Sequence, residues 1–306
     1  MRIVLATRGS PLALWQAEEA RRLLGVAHPT AEIELSIVRS TGDDDARLDL
    51  ASIGRTGVFT AEIDRAVREG TADVGVHSLK DMTTTLDEGF VLGGTLARAA
   101  AEDALVSRTG ERLADLRAGA RVATGSVRRI AMLKRARHDL EVVGMRGNVD
   151  TRLEKLARGE ADALLVACAG LVRLGLGHRI TEVLAAPAFL PAVGQGIVGL
   201  TCRADDQRTV ATLASISDRE AWAEALAERA LLRGLHGGCN APVGARARAV
   251  ENGISIRASV LSVDGTRHLE GERSGSIGEA ERIGTRLAEE LAARGAKQLI
   301  EAARAR

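Results

Sequence analysis

Aromatic side chains are nearly absent from this 306-residue chain, which contains three Phe, two Trp and no Tyr. Its hydrophobic core must therefore be built from Leu, Val, Ile and Ala. Cysteine is also scarce: Cys168, Cys202 and Cys239 are far apart, so they form neither a disulfide framework nor a zinc site. The six His residues show no paired metal-ligand spacing, and the sequence predicts no metal centre.

Long apolar runs and an excess of one charge sign are missing as well. The chain begins with the strand-like run Met1-Arg2-Ile3-Val4, without a charged leader and without a segment long enough to span a bilayer. A formal net charge of +1 argues against a general nucleic-acid or acidic-membrane binder. We therefore expect a reduced, cytoplasmic protein whose partner is neither a membrane nor a nucleic acid.

The length of the chain predicts two or three domains. Strand and helix patterns alternate through its first two thirds. Ser10 and Pro11 are typical of a helix start, and the helix is expected to end at Leu24, before Gly25. Alternation at this spacing indicates parallel α/β units.

The last third changes character. Residues 211–233 are predicted to be helical, with Ser217 or Asp218 as an N-cap. The pairs Asn252-Gly253 and Asp264-Gly265 then indicate two successive hairpins, and a final helix is expected over about residues 278–294. This pattern predicts a small antiparallel α+β domain.

A first candidate site follows the short apolar run at residues 74–77. Such a run is typical of a buried strand in a parallel sheet, and ligands bind beyond the carboxyl ends of such strands. Ser78, Lys80 and Asp81 stand at that position. A lone Lys-Asp pair would suit a solvated loop better, so the pair by itself assigns no site.

The first predicted helix offers a second candidate. Its N-terminus at Ser10 would present free N–H groups and a positive dipole end to an anion, and Arg8 lies beside it. Taken alone, these residues are explained better by simple helix capping.

The segment from Arg121 to Arg152 holds eight basic and three acidic residues, a net charge of +5. Within it, two turns between a strand and a helix carry Arg: Thr124-Gly125-Ser126-Val127-Arg128-Arg129 and Met145-Arg146-Gly147. Guanidinium groups match carboxylates in geometry and keep their charge. The two turns together favour a site for a ligand with several carboxylates.

Cys239 differs from the other two Cys residues. Cys168 and Cys202 lie in apolar runs and are expected to be inert core residues. Cys239 follows Gly237 and Gly238, which would expose it and allow a ligand to approach the backbone closely.

Three of these stretches share a family resemblance: Ala-Thr-Arg-Gly-Ser-Pro-Leu-Ala-Leu-Trp-Gln-Ala from Ala6, His-Ser-Leu-Lys-Asp-Met from His77, and Gly-Gly-Cys-x-x-Pro-x-Gly from Gly237. They resemble the porphobilinogen deaminase (hydroxymethylbilane synthase) family, in order and over the whole chain. The resemblance implies two α/β domains like those of type II periplasmic binding proteins, joined by a two-strand hinge, plus a small C-terminal α+β domain with a three-stranded antiparallel sheet. The implied domains are residues 1–97 with 196–215, residues 98–195, and residues 216–306.

The resemblance also implies an activity: a monomeric transferase of tetrapyrrole and heme biosynthesis that condenses four porphobilinogen molecules into hydroxymethylbilane and releases ammonia. Asp81 would be the catalytic carboxylate, and Cys239 would carry a dipyrromethane cofactor through a thioether. Phe59 would flank the active-site cleft. The residues implied to bind substrate or cofactor are Arg8, Ser10, Ser78, Lys80, Thr124, Ser126, Arg128, Arg129, Arg146 and Arg152.

The chain departs from the family pattern at three places. Ser52 and Thr56 stand in a loop where many members carry Lys, and Thr83 replaces a usual Pro. The family's acidic, proline-containing stretch before Asp-Ala-Leu-Val is changed at residues 98–103, which we expect to affect the crossing between domains rather than the chemistry. Two alternatives stay open: a non-catalytic two-domain protein that binds small anions, and a degenerate deaminase without turnover.

Overall fold

The computed structural model of the protein describes residues 1–38, 60–238, 240–251 and 253–304. The predictions made for Ser52, Thr56, Phe59 and Cys239 lie outside these residues. The chain divides into two compact units. Unit 1 comprises Met1–Ala99 and Ile197–Trp222, and unit 2 comprises Ala100–Gly196 and Ala223–Arg306. The predicted separation of residues 98–195 and residues 216–306 into two domains stays a prediction.

The strands run in chain order as follows: β1 (Arg2–Arg8), β2 (Glu32–Val38), β3 (Val74–Ser78), β4 (Phe90–Thr95), β5 (Asp103–Ser107), β6 (Arg121–Ala123), β7 (Glu141–Val143), β8 (Ala163–Ala167), β9 (Glu182–Leu184), β10 (Val198–Arg203), β11 (Val243–Val250), β12 (Gly253–Leu261) and β13 (His268–Gly275). The described helices are α1 (Pro11–Ala27), α2 (Ala61–Arg68), α3 (Val127–Ala136), α4 (Val149–Ala157), α5 (Cys168–Arg173), α6 (Gln207–Ala214), α7 (Arg219–Gly234), α8 (Ala280–Ala293) and α9 (Ala296–Arg304). No helix of these described ranges is long and apolar enough to cross a membrane.

Each unit contains a five-stranded sheet, and the two sheets have corresponding strand orders. The order is β2-β1-β3-β10-β4 in unit 1 and β7-β6-β8-β5-β9 in unit 2. In both sheets the first three strands are parallel, whereas the fourth strand is antiparallel to its neighbours. With the separate sheet β11-β12-β13, this architecture confirms the predicted fold class.

Two strands, β5 and β10, are antiparallel to their sheet neighbours, although the alternation of strands and helices indicated parallel units. Each of these strands follows a passage of the chain from one unit to the other, after Ala99 or after Gly196. Neither is preceded by a helix within its own unit that could return the chain to the same end of the sheet, as a parallel connection requires.

Helix α1 begins as predicted, because Ser10 accepts a hydrogen bond from the Ala13 N–H at 3.4 Å and Pro11 occupies the first turn. The predicted end was wrong: the helix continues through Gly25 to Ala27, and the His28 N–H bonds to the Leu24 carbonyl. Apart from Gln16, its buried face is aliphatic and packs on the unit 1 sheet, as the scarcity of aromatics requires.

The C-terminal sheet is an antiparallel meander, with both hairpins at the predicted positions. Helices α8 and α9 pack on it. The predicted final helix corresponds to α8, whereas α9 was missed because Gly295, at φ +97°, separates the two. The helical stretch expected over residues 211–233 is divided between α6 and α7, which are separated by a turn at residues 215–218. The predicted cap Asp218 lies at the start of α7, where its side chain accepts a hydrogen bond from the Ala221 N–H at 2.8 Å.

Candidate functional site

In unit 1 the candidate residues collect at the carboxyl edge of the sheet. β1 and β3 are parallel neighbours, with Leu5 opposite Val74, so Arg8 and Ser78 end at the same edge. Ser78 leads into a single 3₁₀ turn, Leu79–Asp81. Leu79 is buried, Lys80 is half-buried and Asp81 is exposed. The turn therefore carries its carboxylate to the surface at the edge where a ligand is expected.

Helix α1 starts at the same edge, immediately after β1. Its N-terminus lies at Ser10, so its first N–H groups face away from the helix body and favour an anion. Helix α1 also fixes Ser78, because the buried Gln16 side chain donates from Nε2 to Ser78 Oγ at 2.8 Å. Sequence reasoning missed Gln16, although its spacing to Ala20 and Leu24 places one polar side chain on the apolar stripe of the helix.

His77 lies directly before the turn and is a buried, neutral group. Burial lowers its pKa to about 4, and its Nε2 atom is 3.1 Å from Thr201 Oγ1 on the neighbouring strand β10. An imidazole with this pKa carries no charge near neutral pH. His77 therefore ties β3 to β10 and adds no cation to the site.

In unit 2 the first basic turn connects β6 to α3. Thr124 is buried and its Oγ1 atom accepts a hydrogen bond from the Ser126 N–H at 3.2 Å. Ser126 caps α3 by accepting from the Arg129 N–H at 3.4 Å. These two bonds fix the turn and point the start of α3 beyond the carboxyl end of β6.

Arg128 and Arg129, in the first turn of α3, are both buried and both paired with Asp103. The Asp103 side chain is 0% exposed. Burial by itself raises the pKa of this carboxyl, but the two guanidinium groups and the hydrogen bonds from Arg128 and Gln195 outweigh it, so the pKa lies well below its usual range. The carboxylate is ionised and the guanidinium groups face it.

The second basic turn connects β7 to α4, and β7 is the parallel neighbour of β6. Arg146 and Arg152 are half-buried. The Arg152 Nε–H donates to the Gly147 carbonyl at 2.7 Å, and Lys155 Nζ donates to the Arg146 carbonyl at 3.0 Å. Gly147 is required at φ +116° because a side chain there would be strained and would meet Thr151.

The structure thus gathers the predicted residues into two groups. The unit 1 group contains Arg8, Ser10, Ser78, Lys80 and Asp81, and the unit 2 group contains Thr124, Ser126, Arg128, Arg129, Arg146 and Arg152. Cys239 and Phe59 are outside the described residues. Within the described parts of the chain, no three His, Cys, Asp or Glu side chains are arranged to hold a metal ion.

A dipyrromethane group with acetate and propionate side chains fits the residues of unit 2. Gly238, the neighbour of Cys239, has no heavy atom within 4 Å of the place that a Cβ would take, so the backbone there is open to a ligand. The same unit contains both basic turns. Cations that can pair with carboxylates and the open backbone at Gly238 therefore occur in one compact unit.

Two family models match the chain. "Porphobilinogen deaminase, dipyromethane cofactor binding domain" matches residues 3–211, and "Porphobilinogen deaminase, C-terminal domain" matches residues 222–293.

Two similar proteins, both named porphobilinogen deaminase, align over nearly their whole length. The protein from Syntrophobacter fumaroxidans is 40% identical over 299 residues, which cover 98% of this chain and 97% of that protein. The protein from Xanthomonas oryzae pv. oryzae is 45% identical over 298 residues, covering 97% and 98%. Among solved structures, the methionine-binding protein MetQ matches with a TM-score of 0.46 and 13% identity, over 74% of this chain and 94% of MetQ.

Proposed function

We propose, because the chain belongs to the porphobilinogen deaminase family, that it condenses four porphobilinogen molecules into the linear tetrapyrrole hydroxymethylbilane and releases ammonia each time. The observation that carries this function is the pair of family matches at residues 3–211 and 222–293. The protein is accordingly a transferase of tetrapyrrole and heme biosynthesis that uses a dipyrromethane cofactor.

We propose Cys239 as the attachment point of that cofactor through a thioether. A soft sulfur nucleophile readily captures an electrophilic pyrrole methylene. The open backbone at Gly238 supports this assignment. When bound, the cofactor supplies the nucleophilic pyrrole to which the first substrate is joined.

We propose Asp81 as the catalytic carboxylate. Loss of ammonia from an aminomethylpyrrole leaves a cation conjugated with the ring, and a carboxylate beside it stabilises the developing positive charge. The same oxygens can hold a proton that moves to the leaving amine or away from the pyrrole. Ser78 and Lys80 precede this carboxylate at the same 3₁₀ turn, and the hydrogen bond from Gln16 holds the Ser78 side chain in place.

We assign the carboxylate side chains of substrate and cofactor to the basic groups at the carboxyl edges of the two five-stranded sheets. In unit 1 these are Arg8 and the α1 N-terminus at Ser10. In unit 2 they are the turns at residues 124–129 and 146–152, which follow adjacent parallel strands. The half-buried Arg146 and Arg152 are proposed to bind carboxylates directly, whereas the buried Arg128 and Arg129 face Asp103 and contribute positive charge behind the turn.

Ammonia measurement distinguishes this function from the two alternatives. Purified protein given porphobilinogen is expected to release one ammonia for each porphobilinogen consumed. Binding of porphobilinogen without consumption would instead identify a small-anion-binding protein or a degenerate deaminase. The monomeric state and the cytoplasmic location are proposed from the family resemblance, and sedimentation of the purified protein at several concentrations tests the first.

A further inference from the structure

Asp103, which is not among the residues predicted to bind ligand, is the centre of a buried hydrogen-bond cluster in unit 2. Five N–H donors reach its two oxygens. Arg128 donates to Oδ2 at 2.6 Å and to Oδ1 at 3.1 Å, Arg129 donates to Oδ1 from Nε at 2.9 Å and from Nη2 at 2.8 Å, and Gln195 Nε2 donates to Oδ1 at 2.9 Å.

The same donors extend the cluster to the surrounding backbone. Arg128 also donates to the Leu190 carbonyl at 2.7 Å, and Arg129 donates to the Leu165 carbonyl at 3.0 Å. Gln195 Nε2 donates to the Ala101 carbonyl at 2.6 Å. The first turn of α3 is thereby fastened to β8 and to the two segments at which the chain enters and leaves this part of unit 2.

The charge of the cluster depends on Asp103. Two guanidinium groups and one carboxylate leave a net charge of +1 at side chains that are 0% to 8% exposed. Arg128 Nε already has no hydrogen-bond partner among the described residues. Removing the Asp103 carboxylate would break the four hydrogen bonds that the two guanidinium groups donate to it. It would also leave two buried cations without a counter-charge, so both arginines would have to reorient.

We propose that Asp103 is a positioning residue for the carboxylate-binding edge of unit 2, acting through Arg128 and Arg129. It holds the two guanidinium groups against the sheet, and with them the first turn of α3 and its cap Ser126. The ligand carboxylates then meet a turn whose cations and N–H groups are already in place. This inference rests on the proposed function, because it assumes that the turn binds porphobilinogen or the growing chain.

Asp162 provides a matched control at the opposite edge of the same sheet. Asp103 pairs with Ala167 at the carboxyl end of β8, whereas Asp162 precedes the amino end of that strand. Asp162 also accepts hydrogen bonds, from the Arg121 N–H at 2.8 Å and from Arg117 at 3.3 Å. Its replacement removes a paired carboxylate from the sheet without touching the basic turns.

The test compares kcat and KM for porphobilinogen in the cofactor-loaded parent and in the variants Asp103→Asn, Gln195→Met and Asp162→Asn. We expect Asp103→Asn to raise KM at least tenfold and to change kcat less than threefold, because Asp81 belongs to unit 1. Gln195→Met, which removes a single donor from Asp103, is expected to raise KM about threefold. Asp162→Asn should lower the melting temperature and leave KM unchanged.

The outcomes separate this inference from the proposed function. If Asp103→Asn does not fold, the Gln195→Met variant decides. An unchanged KM in the folded variants, with an active parent, would overturn the positioning role alone. The same would follow if Asp162→Asn raised KM as much as Asp103→Asn. A parent that consumes no porphobilinogen would overturn the proposed function and this inference with it.

Discussion

Asp81 owes its position to apolar neighbours on the same short turn. Leu79 is 2% exposed and Met82 is 5% exposed, and both lie close to Gly199 of β10, where a Cβ would be 3.0 Å from Leu79 Cδ1 and 3.1 Å from Met82 Sδ. Leu79 and Met82 thus anchor the turn against β10, while Asp81 is exposed to solvent. This separation of anchoring from chemistry allows the carboxylate to be changed without disturbing the fold.

Replacing Asp81 with Asn should therefore remove the charge and little else. We expect kcat to fall by roughly a hundredfold or more, in the range that a lost acid–base or charge-stabilising group produces. The melting temperature and the covalent cofactor should be retained, as measured by thermal unfolding and intact mass. Asp87→Asn serves as the control, because Asp87 is exposed on the same loop and its side chain pairs with Arg68 at 2.8 Å. A near-normal rate in Asp81→Asn would refute the catalytic role.

At the residue scale, sequence patterns indicated candidate ligand-binding residues but missed the buried side chains that hydrogen-bond to them. Asp81 and the basic turns stand in motifs that can be read along the chain. Gln16 bonds to Ser78 across 62 positions, and Gln195 bonds to Asp103 across 92. Asp103 itself was expected to matter only for the crossing between domains. Such partners are brought together by sheet topology, which no local pattern encodes.

At the scale of elements, the helix N-terminus at Ser10 combines a structural and a binding role. The Ser10 hydroxyl satisfies one backbone N–H of α1, and the same N-terminus is proposed to receive a carboxylate. Asp206 caps α6 in the same way by accepting from the Thr209 N–H at 3.0 Å, but α6 has no proposed ligand. The two caps form a matched pair.

Ser10→Ala and Asp206→Ala should each lower the free energy of unfolding by about 1 kcal/mol, the usual contribution of an N-cap. Only Ser10→Ala is expected to raise KM for porphobilinogen, because only that cap belongs to the proposed binding edge. Denaturant unfolding and steady-state kinetics on the same preparations check both statements. Equal KM values for the two variants would exclude Ser10 from substrate binding.

Helix starts were predicted better than helix ends. A cap such as Ser10 is a local chemical signal, whereas Gly25 was taken for a stop although open space surrounds it and the helix continues to Ala27. The direction of a strand is less local still. The antiparallel direction of β5 and β10 depends on the end of the sheet at which the chain arrives from the other unit, and the strand sequences themselves do not record it.

At the scale of the whole molecule, the C-terminal sheet and the sheet of residues 100–196 belong to one compact unit. Leu261 of β12 is buried in the same cluster as Leu105 and Val122. The turn at Gly265 lies directly on α3, where a Cβ would be 2.5 Å from the Arg135 N atom and 2.9 Å from the Ala131 O atom. The helix that starts at the first basic turn is therefore supported by the domain that is proposed to carry the cofactor.

Gly265→Ala tests this support, with Gly110→Ala as its control. Both glycines have a positive φ, +75° and +95°, but Gly110 has no heavy atom within 4 Å of its Cβ position. We expect Gly110→Ala to lower the free energy of unfolding by about 1 kcal/mol through backbone strain alone. Gly265→Ala should cost at least about twice as much, because backbone atoms of α3 cannot move aside. Equal losses in denaturant unfolding would mean that the turn does not rest on α3.

The central claim is that this protein is a deaminase primed by a cofactor bound to Cys239. The most direct measurement is the intact mass of the purified parent beside its Cys239→Ala variant. We expect the parent to exceed its sequence mass by two linked pyrrole units and the variant to show no such excess. A parent that stays at its sequence mass even after incubation with porphobilinogen, or a variant that carries the same excess, would contradict the claim.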